Sequence, residues 1–437
     1  MPLPRIRGGR RNTMTQLKDM YKNIVRDAFP DKVSVEFGDT RLEYRRRTWN
    51  IGGEEKGLRY GENPDQPAAL YQLSQGVPVV DGVVYKGPEQ GMVSALTEAN
   101  MLQAGKHPGK TNLTDVDNGI NILQYLHSRP AALILKHNNP CGASWSHAGI
   151  ADALNKAYWS DRIAAFGGAV VVNRPLDMAA AELIDSAYFE VVAAPDFEEG
   201  ALDVLKKRKN LRILRIPGLG ELERCAGVPF LDIKSLSDGG LVFQQSFVNR
   251  IRTAADFIPA TAQKDGIAVS ARKPTPAEAD DLLFAWAVEA GVTSNSVIFA
   301  KDGTTIAIGT GEQDRVGVVQ IAVYKAYTKY NDMLVFKKYG KSLYEVMRAA
   351  SHDDKIHEFF MEAGEITGKA KGGLTGSALV SDGFFPFRDG VDMAVEHGVA
   401  AIAQPGGSMR DYEVIMAANE ASPQVAMVFT GQRSFKH

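Results

Sequence analysis

The chain has 437 residues, which is enough for two or three domains, and 44% of them are hydrophobic, yet no apolar run is long enough to span a bilayer. A formal net charge of -2 gives no electrostatic reason to expect nucleic acid or a membrane surface as the main partner. Two cysteines, Cys141 and Cys225, cannot build a disulfide framework, and no CxxC or HxxxH spacing occurs. We therefore expect a cytoplasmic protein without a structural zinc site.

The first 57 residues are predicted to form an extension that contains one helix and one hairpin. Residues 1–13 carry four arginines but no apolar segment, so they do not resemble a secretory signal, and Met14 is a candidate start. Apolar residues recur at helical spacing from Leu17 to Ala28. Alternating apolar residues over 33–44 predict a hairpin, and residues 49–57 are interpreted as a linker.

From residue 94 onward, helical patterns alternate with short apolar strands, which is typical of a layered α/β fold. The predicted strands are 131–136, 168–172, 189–194, 211–215, 297–300, 305–308, 378–381, 399–403 and 425–430. The predicted helices are 149–159, 175–187, 198–208 and 314–328, and residues 329–376 are interpreted as a helical insertion. Two similar α/β halves are expected, although direct sequence repetition between them is too weak to indicate a duplication.

The most informative stretch is 136–142, which reads KHNNPCG. It follows an apolar run that predicts a buried strand, so a lysine and a histidine arrive together where the strand ends, and strand ends are where α/β proteins place chemistry. Because neighbouring side chains of a strand point to opposite faces, Lys136 and His137 share a cleft only if the strand has ended there. The proline and glycine that follow are expected to break any regular structure. The alternative is a solvated lysine beside a histidine with ordinary partners.

Four other segments and the C-terminus combine glycine, aromatic and charged residues next to predicted strands. Residues 309–315 precede a predicted helix and would suit an anion, but they lack the Gly-Lys-Ser/Thr of a P-loop. The three phenylalanines in 381–389 suit a flat aromatic ligand. Each segment alone is explained by a turn, but together they suggest one pocket for a flat, anionic substrate. The segments read AAFGG (164–168), GTGEQDR (309–315), SDGFFPFRD (381–389), QPGGSMRD (404–411) and RSFKH (433–437).

Eight motifs occur in an order that resembles the AICAR transformylase family, AICAR being 5-aminoimidazole-4-carboxamide ribonucleotide. They read RYGENP, KHNNPCG, AAFGG, SNS, GTGEQDR, SDGFFPFRDG, QPGGSMRD and TGQRSFKH, and they run from about residue 58 to the end. The resemblance implies the formyltransferase half of a bifunctional purine biosynthesis protein. That half transfers a formyl group from 10-formyltetrahydrofolate to the 5-amino group of AICAR and requires no metal.

The resemblance also implies an architecture. It implies two cytidine-deaminase-like three-layer domains, over 58–235 and 236–437, which follow the extension 1–57 and pair in a homodimer with sites at the subunit interface. The residues that precede the first motif are too few for the family's IMP cyclohydrolase domain. We therefore expect that activity in a separate protein.

The resemblance assigns roles to individual residues. Lys136 and His137 match the family's catalytic pair, and Asn295 matches its catalytic-site asparagine. Six residues match positions that contact the nucleotide, namely Arg59, Tyr60, Gly167, Glu190, Arg433 and Phe435. Arg315 and Asp382 match positions that line the folate side. Three positions depart from the family pattern, and all three concern substrate contacts: Asp65 replaces a histidine, Glu312 a glutamine, and Glu190 an aspartate seen in some members.

These groups suggest a mechanism. The AICAR amine is a poor nucleophile because its lone pair is delocalised into the ring carboxamide, so a base is expected to remove its proton, and His137 is the candidate. Lys136 and Asn295 are the donors expected to stabilise the oxyanion or to protonate the departing N10. Arg59 and Arg433 are expected to hold the ribose phosphate.

Two other functions remain alternatives. A zinc nucleoside deaminase would need an HxE and a PCxxC motif, but Pro140-Cys141 is not followed by a second cysteine. A non-catalytic purine-nucleotide sensor would keep the phosphate-binding arginines and lose the Lys-His pair, whereas both are present here. Formate with ATP is an alternative source of the formyl group.

Overall fold

The computed structural model describes residues 29–85, 92–264 and 266–437, so the helix predicted before residue 29 lies outside the described residues. Within these ranges the chain forms 23 strands and eleven α-helices, which confirms the α/β class. No helix in the described ranges is long and apolar enough to cross a membrane. The same ranges contain no group of three or more His, Cys, Asp or Glu side chains arranged to hold a metal.

The strands are short and alternate with helices through most of the chain. In the first half they are β1 (Lys32–Phe37), β2 (Thr40–Arg47), β3 (Trp49–Ile51), β4 (Glu54–Lys56), β5 (Leu70–Gln75), β6 (Val79–Val80), β7 (Val83–Val84), β8 (Met101–Gln103), β9 (Ala131–Lys136), β10 (Asn139–Trp145), β11 (Gly168–Val172), β12 (Phe189–Ala194) and β13 (Arg212–Arg215). The others are β14 (Leu231–Ser235), β15 (Leu241–Gln245), β16 (Ile258–Pro259), β17 (Thr261–Gln263), β18 (Ile267–Val269), β19 (Val297–Lys301), β20 (Thr304–Gly309), β21 (Ala378–Ser381), β22 (Ala401–Gln404) and β23 (Ala426–Phe429).

The helices range from one turn to 25 residues. They are α1 (Lys110–Leu123), α2 (Ile150–Ser160), α3 (Arg162–Ala165), α4 (Met178–Ser186), α5 (Ala201–Lys206), α6 (Pro276–Glu289), α7 (Arg315–Tyr339), α8 (Leu343–Ala350), α9 (Asp354–Lys369), α10 (Asp389–Glu396) and α11 (Asp411–Glu420).

One twelve-stranded sheet runs through the molecule in the order β16-β23-β22-β21-β19-β20-β10-β9-β11-β12-β13-β8. Its centre is the antiparallel pair β10 and β20. On each side of that pair the same sequence of pairings follows: a hairpin, an antiparallel neighbour, two parallel steps and an antiparallel edge strand. The two halves therefore share one topology, which the sequence alone did not establish.

Helices cover both faces of the sheet. On one face α1 and α6 lie over a single apolar core that extends across both halves, with Val116 and Trp286 completely buried. The other face carries two separate cores, one under α2 and α4 in the first half and one under α7 and α11 in the second. Helices α8 and α9 pack on the end of α7 around a small core of their own that includes Val335.

Most predicted strands lie within two residues of their observed positions, because each is a continuous apolar run that is buried on both faces. Four interpretations were wrong or incomplete. Residues 49–57 are not a linker, since β3 and β4 form a hairpin whose Trp49 is buried and donates to the Leu96 carbonyl (3.0 Å). Regular structure continues through 140–142 as strand β10, which contains a bulge. Helix α7 extends to residue 339, and helices α1 and α6 were not predicted.

A close approach between β10 and α2 provides a stability prediction. A Cβ at Gly142 would lie 2.0 Å from the Ala157 carbonyl oxygen, which is backbone and cannot move aside. Gly142→Ala should therefore lower the free energy of unfolding by about 1–3 kcal/mol, as measured by calorimetry. Gly364→Ala in α9 is the control, because nothing lies near its Cβ and alanine favours the helix by about 1 kcal/mol. An equal change in the free energy of unfolding at both positions would show that the Ala157 carbonyl does not crowd position 142.

Candidate functional site

The turn between β9 and β10 carries Lys136 and His137. Strand β9 ends at Lys136, as predicted, and a two-residue turn of His137 and Asn138 follows, with positive φ angles of 55° and 61°. Such angles are typical of tight hairpin turns, although residues other than glycine adopt them at a cost. Both turn residues are exposed. The histidine is thus presented to solvent at the end of a buried strand.

Helix α1 holds this turn through two polar side chains. Asp115 Oδ1 accepts from the Asn138 N–H (2.6 Å), and Asn118 Nδ2 donates to the Asn138 carbonyl (2.8 Å) and to the Gly291 carbonyl (2.9 Å). Lys436 Nζ in turn donates to Asn118 Oδ1 (2.7 Å). Burial raises the pKa of Asp115 to about 6 and lowers the pKa of Lys436 to about 8.

Lys136 lies against the segment that contains Gly167. Its Nζ donates to the Phe166 carbonyl (2.8 Å), and the Gly167 N–H donates to the Tyr188 carbonyl (2.7 Å). Gly167 has a φ of 77°, which favours glycine at this position. The exposed Phe166 ring stacks on Tyr188, with 4.9 Å between ring centroids. The predicted catalytic lysine and the predicted glycine therefore occupy one surface.

Arg59, Tyr60 and Glu190 lie near the start of α1. Arg59 Nη1 donates to the Lys106 carbonyl (3.0 Å) and Nη2 to the Tyr60 hydroxyl (2.6 Å), while its buried Nε has no partner. Glu190 Oε2 accepts from Asn112 Nδ2 (3.1 Å) and from Arg212 Nη1 (3.3 Å). Asn112 lies on α1 one turn before Asp115. The same helix therefore connects the Glu190 side chain to the histidine turn.

A second cluster joins Asn295, Arg315 and Asp382. Arg315 Nη1 donates to Asp382 Oδ1 (2.5 Å) and Nη2 to Asn295 Oδ1 (3.0 Å). Ser294 Oγ donates to Asp382 Oδ2 (2.5 Å), and Asn295 Nδ2 donates to the Gln313 carbonyl (2.9 Å). Arg315 and Asp382 are both buried, and a buried ion pair survives only with such additional hydrogen bonds. The side-chain amide of Asn295 is therefore held in one orientation.

The C-terminal residues pack on this second cluster. The exposed Arg433 guanidinium lies 5.3 Å from the Phe384 ring centroid and 5.5 Å from the Phe435 centroid. No carboxylate within the described ranges forms an ion pair with Arg433. The phenylalanines of 381–389 have different roles, because Phe385 is completely buried in the core whereas Phe387 is half exposed. Arg433 is thus a cation supported by two rings and available to an anion.

The residues around α1 form the first cluster, which meets the second cluster at Asn139. The members of the first cluster are Arg59, Tyr60, Lys136, His137, Gly167 and Glu190. Asn139 Oδ1 accepts from the Thr293 N–H (2.9 Å) and from Thr310 Oγ1 (3.2 Å), which belong to the second half. Within the described residues, no hydrogen bond or ion pair joins Lys136 or His137 directly to Asn295, Arg315 or Asp382. The structure therefore brings the predicted residues together as two groups that share a boundary.

Sequence reasoning missed several buried polar residues around the site. They include Asp115, Asn118 and also Glu289, which is completely buried and accepts from Ser296 Oγ (2.9 Å). Asn139 and Lys436, which are half-buried, were given no individual role either. Burial raises the pKa of Glu289 well above its ordinary value. One signal was present, because positions 112, 115 and 118 are polar at a spacing of three and so share one face of a helix.

Comparison with known proteins assigns a family. The family model of the AICARFT/IMPCHase bienzyme matches residues 16–325. The chain belongs to this family. Similar proteins in this family carry the name bifunctional purine biosynthesis protein PurH. The one from Magnetococcus marinus is 35% identical over 410 residues, and the match covers 94% of this chain and 62% of the relative.

Other PurH relatives give the same result. The protein from Persephonella marina is 35% identical over 414 residues, with 94% of this chain and 62% of the relative covered. The protein from Xanthomonas campestris pv. campestris is 37% identical over 383 residues, with 87% and 58% covered. The chain therefore spans less than two thirds of the length of these members of the AICARFT/IMPCHase family.

The buried carboxyl of Asp115 predicts a pH-dependent stability. Its pKa in the folded protein is raised to about 6, above the value of about 3.9 in an unfolded chain, so its stabilising contribution is complete at low pH and is lost as pH rises through about 6. Asp115→Asn removes this titration. The stability of the variant relative to wild type should increase by about 1–2 kcal/mol from about pH 5 to about pH 8 in thermal unfolding.

Asp152→Asn is the control for this measurement. A hydrogen bond from Lys156 lowers the pKa of the Asp152 carboxyl, so that carboxyl is already ionised across the measured range. Its variant should show a constant difference from wild type. The same constant difference for Asp115→Asn would contradict a raised pKa for Asp115.

Proposed function

We propose that this protein transfers the formyl group of 10-formyltetrahydrofolate to the 5-amino group of AICAR, giving formyl-AICAR in purine (IMP) biosynthesis. The observation that carries the proposal is the position of the His137 turn at the boundary of the two clusters. Asn138 and Asn139 tie that turn to α1 on one side and to the Thr293 segment, next to Asn295, on the other. The candidate base would thus lie between the cluster proposed to bind the nucleotide and the cluster proposed to line the folate side.

The proposed reaction needs a base and an oxyanion donor. The AICAR nitrogen attacks the formyl carbon while His137 accepts the amine proton, and the C–N10 bond then breaks as N10 gains a proton. Lys136 keeps donors for this purpose, because an ammonium has three N–H groups and only one is bound to Phe166. Asn295 Nδ2 likewise has a second N–H beyond the one bound to Gln313, and it is available to the developing oxyanion.

Substrate recognition is proposed to use both clusters. Arg59 and Arg433 would bind the phosphate, since Arg59 has an unsatisfied buried Nε and Arg433 has no acidic partner among the described residues. Tyr60, Gly167, Glu190 and Phe435 would contact the nucleotide. Arg315 and Asp382 would line the folate side and hold Asn295, which contacts Arg315 directly. No metal is part of this proposal.

Architecture and context follow as further parts of the proposal. The repeated strand topology supports two cytidine-deaminase-like domains over 58–235 and 236–437, with residues 1–57 as an extension. Exposed apolar strands, among them β6, β7 and β15, support a homodimer with sites near the interface. We also propose a cytoplasmic location, and formyl-AICAR would then be a substrate for an IMP cyclohydrolase.

A spectrophotometric assay tests the proposed activity. Purified protein with AICAR and 10-formyltetrahydrofolate should release tetrahydrofolate and form formyl-AICAR in equal amounts, both identified by chromatography. Replacing formylfolate with formate and ATP should give no product. Absence of tetrahydrofolate release under conditions where AICAR binds would favour a nucleotide-binding role without catalysis.

Removing the proposed base should affect the rate more than binding. His137→Ala should reduce kcat by about 10²–10⁴, which is the usual effect of losing an acid-base group, while AICAR affinity changes little. His147→Ala, an exposed histidine beyond the end of β10, is the matched control and should behave as wild type. If His137→Ala stays within about threefold of wild type, His137 is not the base.

Removing the proposed phosphate ligands should affect binding more than rate. Arg433→Ala and Arg59→Ala should each weaken AICAR binding by about 1.5–3 kcal/mol, because a charge-assisted hydrogen bond is lost. Calorimetry with the nucleoside, which lacks the phosphate, should show no such loss. Arg224→Ala, an exposed arginine paired with Glu221, is the control. Equal losses for nucleotide and nucleoside would show that these arginines do not bind the phosphate.

A further inference from the structure

Each half of the sheet contains a hairpin turn that is held by an aspartate of a helix, but only the turn in the first half carries a histidine. In the second half a turn of Asp302 and Gly303 joins β19 and β20, with positive φ angles of 52° and 66°. Asp281 on α6 accepts from both turn amides, through Oδ2 from Asp302 (3.0 Å) and through Oδ1 from Gly303 (2.7 Å). Asp281 thus has the position in the second half that Asp115 has in the first.

In the first half a second side chain of the helix also binds the turn. Asp115 accepts the Asn138 N–H, as Asp281 does for its turn, but Asn118 also donates to the Asn138 carbonyl. Lys436 fixes Asn118 from the opposite side, and both side chains also bind the Gly291 carbonyl. The N–H and the carbonyl of the residue that follows His137 are therefore both held by α1, and α1 is anchored to the second half of the sheet.

The direction of the His137 side chain depends on this backbone. Positive φ at a residue with a Cβ is unfavourable, so the turn keeps this conformation only where its surroundings hold it. The His137 side chain is exposed, and its position is defined through the backbone of the turn. Asn139 Nδ2 donates to the His137 carbonyl (3.4 Å), and the His137 N–H as well as the Asn138 N–H faces the Asp115 carboxylate. A shift of about 1 Å in a reacting group can reduce a rate about 100-fold.

We propose that Asp115, Asn118 and Lys436 are positioning residues for His137, acting through the backbone of the turn that His137 and Asn138 form. This proposal rests on the proposed role of His137 as the base. The turn requires an acceptor oxygen at position 115 and does not require its negative charge. The amide oxygen of an asparagine in the same place can accept the same N–H. Lys436 acts one step further away, through Asn118.

The experiment compares variants that keep or remove each contact. Asp115→Asn should retain kcat within about threefold of wild type, whereas Asp115→Ala and Asn118→Ala should reduce kcat by about 10–100-fold with unchanged AICAR affinity. Lys436→Met should reduce kcat in the same direction by a smaller factor. Tetrahydrofolate release gives kcat, and calorimetry gives the affinity.

Two matched controls separate positioning from general stability. Asp281→Ala removes the equivalent carboxylate from the turn that has no histidine, and Asn121→Ala removes an asparagine of α1 that donates to the Ala290 carbonyl (3.1 Å) and does not touch the turn. Both should lower the thermal unfolding temperature and leave kcat near wild type. If Asp281→Ala lowers kcat as much as Asp115→Ala, the proposal is overturned.

A double-mutant cycle with His137 decides the mechanism. If Asp115 acts only through His137, Asp115→Ala should cause no further loss of kcat in a His137→Ala background. Additive losses, with a large effect of His137→Ala alone, overturn the positioning proposal and leave the proposed function standing. No loss of kcat from His137→Ala alone overturns the role of His137, and the positioning proposal with it.

Discussion

The contact between β10 and β20 is the interaction on which the rest of the sheet depends. The backbone ladder there is short, with Ser144 opposite Thr304, and hydroxyl groups complete it. Thr305 Oγ1 accepts from the Ala143 N–H (3.0 Å), and Ser144 Oγ and Thr304 Oγ1 lie 2.8 Å apart. Without these hydroxyls, buried backbone groups at the centre of the molecule would lack partners. Their presence lets two similar half-sheets form one, and this brings Asn139 against Thr293 and Thr310.

The predictability of the fold differs between its parts for physical reasons. Strands such as β9 and β11 were predicted to the residue because an apolar run buried on both faces is distinctive in any context. Helix α1 was missed because its sequence mixes asparagine, threonine and aspartate with apolar residues, and it begins at a glycine without a side-chain cap. The hairpin at Trp49 was missed because its strands are three residues long and depend on tertiary contacts.

The candidate site, like the fold, was predictable only in part. Lys136 and His137 became candidates because they follow a recognisable strand. Asn295, Arg315 and Asp382 became candidates by resemblance, and in the structure Arg315 contacts both of the others. Polar residues on a helix face solvent by default, so the spacing that places Asp115 and Asn118 on one helix face did not indicate that this face points inward to the turn. Burial of a carboxyl such as Glu289 is likewise a tertiary property, because its partner Ser296 lies beyond the helix that carries it.

The hydroxyl-rich contact at the centre of the sheet also bears on how the chain folds. Ser144 and Thr304 are separated by 160 residues, whereas the hairpins on either side pair strands that are near neighbours in sequence. Contacts between distant residues close long loops and so form after local ones. Until the halves join, the apolar face that α1 and α6 cover together stays open to water. We therefore expect the period before the halves join to be the one in which this chain is most exposed to aggregation during synthesis.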